Sequence, residues 1–192
     1  TYWYHSHSGM QEQSGHYGPL IIDPAGPEPV AYDREFILLL SEFTPLHPHF
    51  IMNRLRTGEG YFNRQLPSWT DKYPMTGAER RMWAKMRMLP TDIADVSAPA
   101  YTYLANGIGP KEGMEYLFRA GERIRLRLIN GGAMTFFNVR IPGLPMTVIA
   151  ADGQNVRPVV VDELQIATAE TYDVIIEPGN AEAYAIVCES MD

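Results

Sequence analysis

Two histidines one residue apart, His5 and His7, are the first side chains along this chain with the means to do chemistry. The residues before them, Thr1-Tyr2-Trp3-Tyr4, all favour extended backbone, and an extended chain sends alternate side chains to one face. His5 and His7 therefore point the same way, roughly 6.6 Å apart along the strand. That separation is awkward for two ligands on one metal and suits one ligand on each of two adjacent metals. Imidazole is a donor for copper, zinc, iron and nickel, and the stretch lacks the carboxylate set that magnesium or calcium would need. For a bare His-x-His the plainer alternative is a strand end with two exposed histidines.

The other reactive groups read as structural. His47-Pro48-His49 is a second His-x-His, but the intervening proline fits the first turn of a helix, with Ile51, Met52 and Leu55 as its buried stripe, so this pair belongs to a solvated turn. His16 sits in a polar loop as a surface histidine. Cys188 is the only cysteine, so no intrachain disulfide is possible. A blue copper site needs Cys with two His, and no histidine follows His49. Cys188 alternates instead with Tyr184 and Ile186, the pattern of a buried structural thiol. Met82, Met86 and Met88 carry the soft sulfur that suits Cu(I), but their helical spacing is that of core filling.

The context of the first pair is informative. Thr1-Tyr-Trp-Tyr-His5-Ser-His7-Ser-Gly-Met-Gln11, continued by Gly15-His-Tyr-Gly-Pro-Leu-Ile-Ile-Asp-Pro24, resembles a copper-ligand motif of multicopper oxidases, and within them is most similar to the bacterial periplasmic copper-resistance oxidases. The resemblance continues through Arg125-Leu-Arg-Leu-Ile-Asn130-Gly, Val148-Ile-Ala-Ala-Asp152-Gly and Glu170-Thr-Tyr-Asp173-Val, which look like the second cupredoxin domain of that family. It implies copper as cofactor, with His5 and His7 each binding a different copper of the type 3 pair within a trinuclear centre. The type 1 and type 2 copper ligands would lie outside or mostly outside this chain.

The elements that must position these groups are mostly strands. Tyr17–Ile22 reads as a strand, Pro24-Ala-Gly-Pro-Glu-Pro29 as a stiff proline linker, and Phe36–Leu40 as a buried strand. Thr76-x-x-Glu79 is a capping box opening a helix with Ala78, Met82, Met86 and Leu89 on one stripe before Pro90. From Tyr101 the pattern is β throughout. Ile124, Leu126 and Leu128 alternate with Arg123, Arg125 and Arg127, a strand with one buried face and one solvated arginine face. Further strands fall at Met134–Ile141, Pro145–Ala151, Asp162–Ala167, Thr171–Glu177 and Ala183–Glu189, with turns at Asn106-Gly107, Asn130-Gly131-Gly132, Asp152-Gly153 and Pro178-Gly179-Asn180.

The expected fold is all-β: a cupredoxin-like Greek-key sandwich with a short helical insertion, preceded by terminal strands of another cupredoxin domain. Its expected parts are residues 1–24 as the end of domain 1, 25–31 as linker, and 32–192 as domain 2 with the helical insertion at about 45–90. Alone, the N-terminal strands are too few to bury a core and would fray or borrow an edge.

The 192 residues suffice for one large or two small domains. A net charge of −7 with no basic cluster argues against a nucleic-acid partner, and no apolar run reaches the length of a membrane span. The chain has no initiator Met or signal peptide and opens in mid-strand, so it reads as a piece of a longer protein.

The resemblance implies that the parent oxidises a one-electron donor, Cu(I) or a phenol, and reduces dioxygen to water, in the periplasm and in copper resistance. Its other partners are the missing portions of cupredoxin domains 1 and 3. Dioxygen reduction consumes protons, so a nearby acid is expected. Some laccases carry an Asp in the loop after this motif; the matching position here is Ser14, and Glu12 is close enough to substitute. Two alternatives stand beside this reading: a laccase-like phenol oxidase, and a non-catalytic copper-sequestering module.

Overall fold

The computed structural model describes residues 1–57, 76–78, 81 and 101–191. Among them are strands β1 (Tyr2–His5), β2 (Tyr17–Leu20) and β3 (Arg34–Phe43), helix α1 (Pro48–Thr57), then β4 (Thr102–Ala105), β5 (Ile124–Asn130), β6 (Phe137–Arg140), β7 (Met146–Ala151), β8 (Gln154–Val161), β9 (Glu163–Ile166), β10 (Thr171–Ile176) and β11 (Val187–Ser190). They form a β1-β2 hairpin, a six-stranded sheet in the order β4-β3-β5-β10-β7-β8, and a three-stranded sheet in the order β11-β6-β9. The β3–β5 pairing is parallel and every other pairing antiparallel. Connections that skip between sheets in this way define a Greek-key sandwich, the all-β class expected.

The period-2 patterns explain where the core lies. Leu38 and Leu40 of β3, Ile124, Leu126 and Leu128 of β5, and Val174 and Ile176 of β10 face Phe137 and Val139 of β6 and Ile166 of β9, all buried in one cluster between the sheets. Each such side chain contributes about 1.5–3 kcal/mol by leaving water. Tyr184, Ile186 and Cys188 pack on the same cluster from the β11 side.

Two sequence expectations change at the periphery. No strand was expected between Asp152-Gly153 and Asp162, yet β8 fills that interval as an edge strand. Both of its faces are largely solvated, so no alternation betrays it, and Pro158 is tolerated because an edge strand has unpaired backbone groups. In α1 the buried stripe is Ile51 with half-buried Leu55; Met52 is exposed because it sits about 100° further round the helix. Of the capping box, Thr76 precedes helical backbone at Gly77 and Ala78. Glu79, Met82, Met86, Met88, Leu89 and Pro90 lie outside the described residues.

The larger correction concerns the arginine face. Only Arg123 keeps to the wet rim, paired to Glu177 at 2.8 Å. Arg125 and Arg127 are 5% and 1% exposed. A second layer covers them: the β1-β2 hairpin and the chain leading into β3. Asp173, directly opposite Arg127 on β10, meets Arg125 Nη2 at 2.5 Å and Arg127 Nη1 at 3.5 Å. Glu28 reaches Arg125 at 2.7 Å and Glu35 reaches Arg127 at 2.7 Å. Burial alone would lower the Arg125 pKa; hydrogen bonds to Asp173 and Glu28 more than offset it and hold the value above the usual one. Thr1 joins the cluster: its hydroxyl donates to Asp173 and accepts from Arg127 Nη1 at 3.0 Å. The hairpin thus borrows no sheet edge; it docks on a sheet face.

The Asp152-Gly153 turn is part of that docking. Both residues have positive φ, 46° and 74°, as a two-residue hairpin loop requires, and the Tyr2 ring lies where a Cβ on Gly153 would stand. Gly153→Ala is expected to lower the melting temperature, with about 1–2 kcal/mol from the left-handed backbone and a further loss from displacing Tyr2. In a Tyr2→Ala background the second part should vanish. Equal losses in both backgrounds would sink the proposed contact.

Candidate metal centre

Strand β1 ends at His5 because its register with β2 ends there, His5 opposite Tyr17. One further bond, Ser6 N–H to the His16 carbonyl at 3.1 Å, closes the ladder. The chain then turns through a compact loop. Ser8 N–H donates to Ser6 Oγ at 3.2 Å and Ser6 Oγ donates to Gln11 Oε1 at 2.6 Å. His16 N–H returns to the Gln11 carbonyl at 2.9 Å. Gly9 and Met10 both take left-handed φ, 56° and 57°. A loop held by its own backbone in this way fixes the direction in which His7 leaves the strand.

The two imidazoles lie on the same side, as the alternation required. Their ring centroids are 4.5 Å apart and tilted by 32°, so the rings lean together, closer than the spacing of an ideal strand. His5 is half-buried and His7 exposed. Among the described residues neither ring takes a hydrogen bond, which leaves the imidazole nitrogens available as donors. The donor set suits copper. Among the described residues no group of three His, Cys, Asp or Glu gathers to hold a metal, so two imidazoles alone would not complete a metal's ligand shell. Glu12 is half-buried in the same loop, and Ser14 Oγ donates to the Met10 carbonyl at 3.3 Å.

The other candidates fall elsewhere. His47 and His49 are exposed and stacked at 5.4 Å. His47 precedes α1, and its Nδ1 accepts the His49 N–H at 3.3 Å, the bond of a helix N-cap. His16 is exposed. Cys188, on β11, pairs with Val139 of β6, and burial pushes its thiol up to about 12, so it is neutral at physiological pH and no thiolate ligand. Sequence reasoning missed Trp3, whose indole stacks on His5 at 4.1 Å and 18°. The period-2 pattern that aligned His5 with His7 also puts Trp3 on that face.

A Greek-key sandwich bearing an imidazole pair on an adjoining hairpin is the layout of a cupredoxin-type metalloprotein. The chain belongs to the multicopper oxidase family: models described as multicopper oxidase match residues 64–192 and 1–27. It is 56% identical to copper resistance protein A of Escherichia coli, over the whole of this chain and 33% of that protein. It is 34% identical to multicopper oxidase MmcO of Mycobacterium tuberculosis, over 92% of this chain and 33% of that one. The crystal structure of a laccase from Botrytis aclada superposes with a TM-score of 0.62 at 29% identity, covering 96% of this chain and 30% of the laccase. The chain spans about a third of the length of the curated relatives it matches. No helix among the described residues is long and apolar enough to cross a membrane.

Proposed function

We propose that the parent protein is a copper-resistance oxidase and that His5 and His7 each ligate one copper of a type 3 pair. One observation carries the reading: two imidazoles free of hydrogen bonds lie side by side, 4.5 Å between centroids, at the end of a braced strand. Copper bound there would supply the passage of single electrons, taken from Cu(I) or a phenol, to dioxygen, which takes up four electrons and four protons to leave as two waters. The chain's own part is to hold both imidazoles on one side of β1 and to fix the exit of His7 through the Ser6–Gln11 turn.

Residues 1–24 are then the end of a first cupredoxin domain, 25–31 the linker, and 32–192 the second domain, which holds the hairpin without contributing a ligand. The remaining ligands belong to the missing parts of domains 1 and 3. We infer periplasmic residence from the resemblance of the His5-x-His7 stretch to bacterial copper-resistance oxidases, and fractionation of the native host would test it.

Steady-state oxygen uptake by the full-length protein separates the donors. A higher kcat/KM with Cu(I) than with phenols is the expected result. Preference for phenols would favour the laccase-like reading, which the Botrytis aclada likeness supports. Copper binding without oxygen uptake on either donor would leave a sequestering module and overturn the oxidase.

A further inference from the structure

We propose that Trp3 is the positioning residue of the histidine pair, and that the β-sandwich sets the pair's geometry through it. The inference rests on reading His5 and His7 as copper ligands. A metal-bound histidine normally has its ring plane fixed by a hydrogen bond from its second nitrogen. Among the described residues His5 has no such partner. The group in contact with its ring is the Trp3 indole, nearly parallel at 18° and 4.1 Å away, and His5 leans in turn on His7.

The indole is itself tied down, and to the sandwich. Trp3 Nε1–H donates to the Ala169 carbonyl at 3.2 Å, in the turn between β9 and β10. Ala169 has a left-handed φ of 67°, which costs a residue with a Cβ about 1–2 kcal/mol. Such an outlier persists only where its surroundings enforce it, and here they do. Ala169 N–H donates to the Asn130 carbonyl at 3.0 Å, Glu170 N–H to the Ala167 carbonyl at 3.2 Å, and Ala167 N–H to the Glu170 carboxylate at 2.7 Å. On the N-terminal side of Trp3 the chain is braced as well, Thr1 by Asp173 and Tyr2 against Gly153. The line of contact therefore runs from a strained, hydrogen-bonded turn of the sandwich, through the indole, to His5 and then His7. This gives a domain with no ligand of its own a direct hold on the copper pair.

The test uses the full-length, copper-loaded protein. Trp3→Leu removes both the stack and the anchor, whereas Trp3→Phe keeps an aromatic ring and loses only the N–H bond. Copper affinity is read by chelator competition with elemental analysis, beside the melting temperature. Trp3→Leu should hold copper roughly 10–100-fold more weakly, the usual cost of losing a group that orients a ligand, and Trp3→Phe should fall between it and wild type. A purely structural role would instead lower the melting temperature and leave the affinity of the folded protein at the wild-type value, which overturns the inference. Should Trp3→Leu fail to fold, Trp3→Phe decides: weakened copper binding supports the role and unchanged binding overturns it. His5→Ala separates the two levels. If it retains full copper, the site reading fails and this inference with it. If it loses copper while Trp3→Leu does not, the positioning role alone fails.

Discussion

In the full-length protein, His5→Ala and His7→Ala are each expected to cut oxygen turnover by about a thousandfold or more, the scale on which losing one member of a cooperating catalytic set acts. Each substitution takes one imidazole from a pair whose centroids are 4.5 Å apart, and no other His, Cys, Asp or Glu cluster among the described residues stands ready to replace it. A blue copper with ligands in another domain should keep its visible colour and stay reducible, so electrons would enter and find no competent exit. His47→Ala and His49→Ala are the controls. Losing the His47 Nδ1 cap should cost about 1 kcal/mol of stability and leave turnover unchanged. Copper content, visible absorption and oxygen uptake on all four variants decide the matter. Normal uptake in His5→Ala, or loss in His47→Ala alone, would show that the wrong histidine pair had been chosen.

The second large effect is on stability. Asp173→Ala should destabilise the full-length protein by about 3–5 kcal/mol, the cost of removing one partner from a buried ion pair. Asp173 is 1% exposed and stands between Arg125 and Arg127. Its removal leaves two buried guanidiniums sharing only Glu28 and Glu35, both nearer the solvent, with side chains 25% and 37% exposed. Because Asp173 also accepts the Thr1 hydroxyl, the loss should reach the hairpin. Hydrogen exchange should speed up at Tyr2–His5 as well as along β5 and β10. A loss below about 1 kcal/mol, or exchange unchanged in β1, would mean that the cluster neither anchors the hairpin nor counts for much in the fold.

The sequence determined what depends on local pattern. Alternation placed β5, β7, β9 and β10, Asn106-Gly107 and Asp152-Gly153 marked turns that take positive φ, whereas Asn130-Gly131-Gly132 does not, and Pro48 opened α1. The spacing of His5 and His7 put two imidazoles on one side of the chain, although the strand itself ends at His5. Neither Arg125 nor Arg127 carries such a mark. A strand reading Ile-Arg-Leu-Arg-Leu looks the same whether its polar face meets water or another layer, and only the docked hairpin, with acids arriving from Glu28, Glu35 and Asp173, makes that face an interior. Edge strand β8 escaped notice for the opposite reason, since a strand wet on both faces has no period to read. The link from Ala169 through Trp3 to His5 joins residues 166 positions apart. It exists because folding lays β1 across the turn between β9 and β10, a proximity that no pattern along the chain can encode.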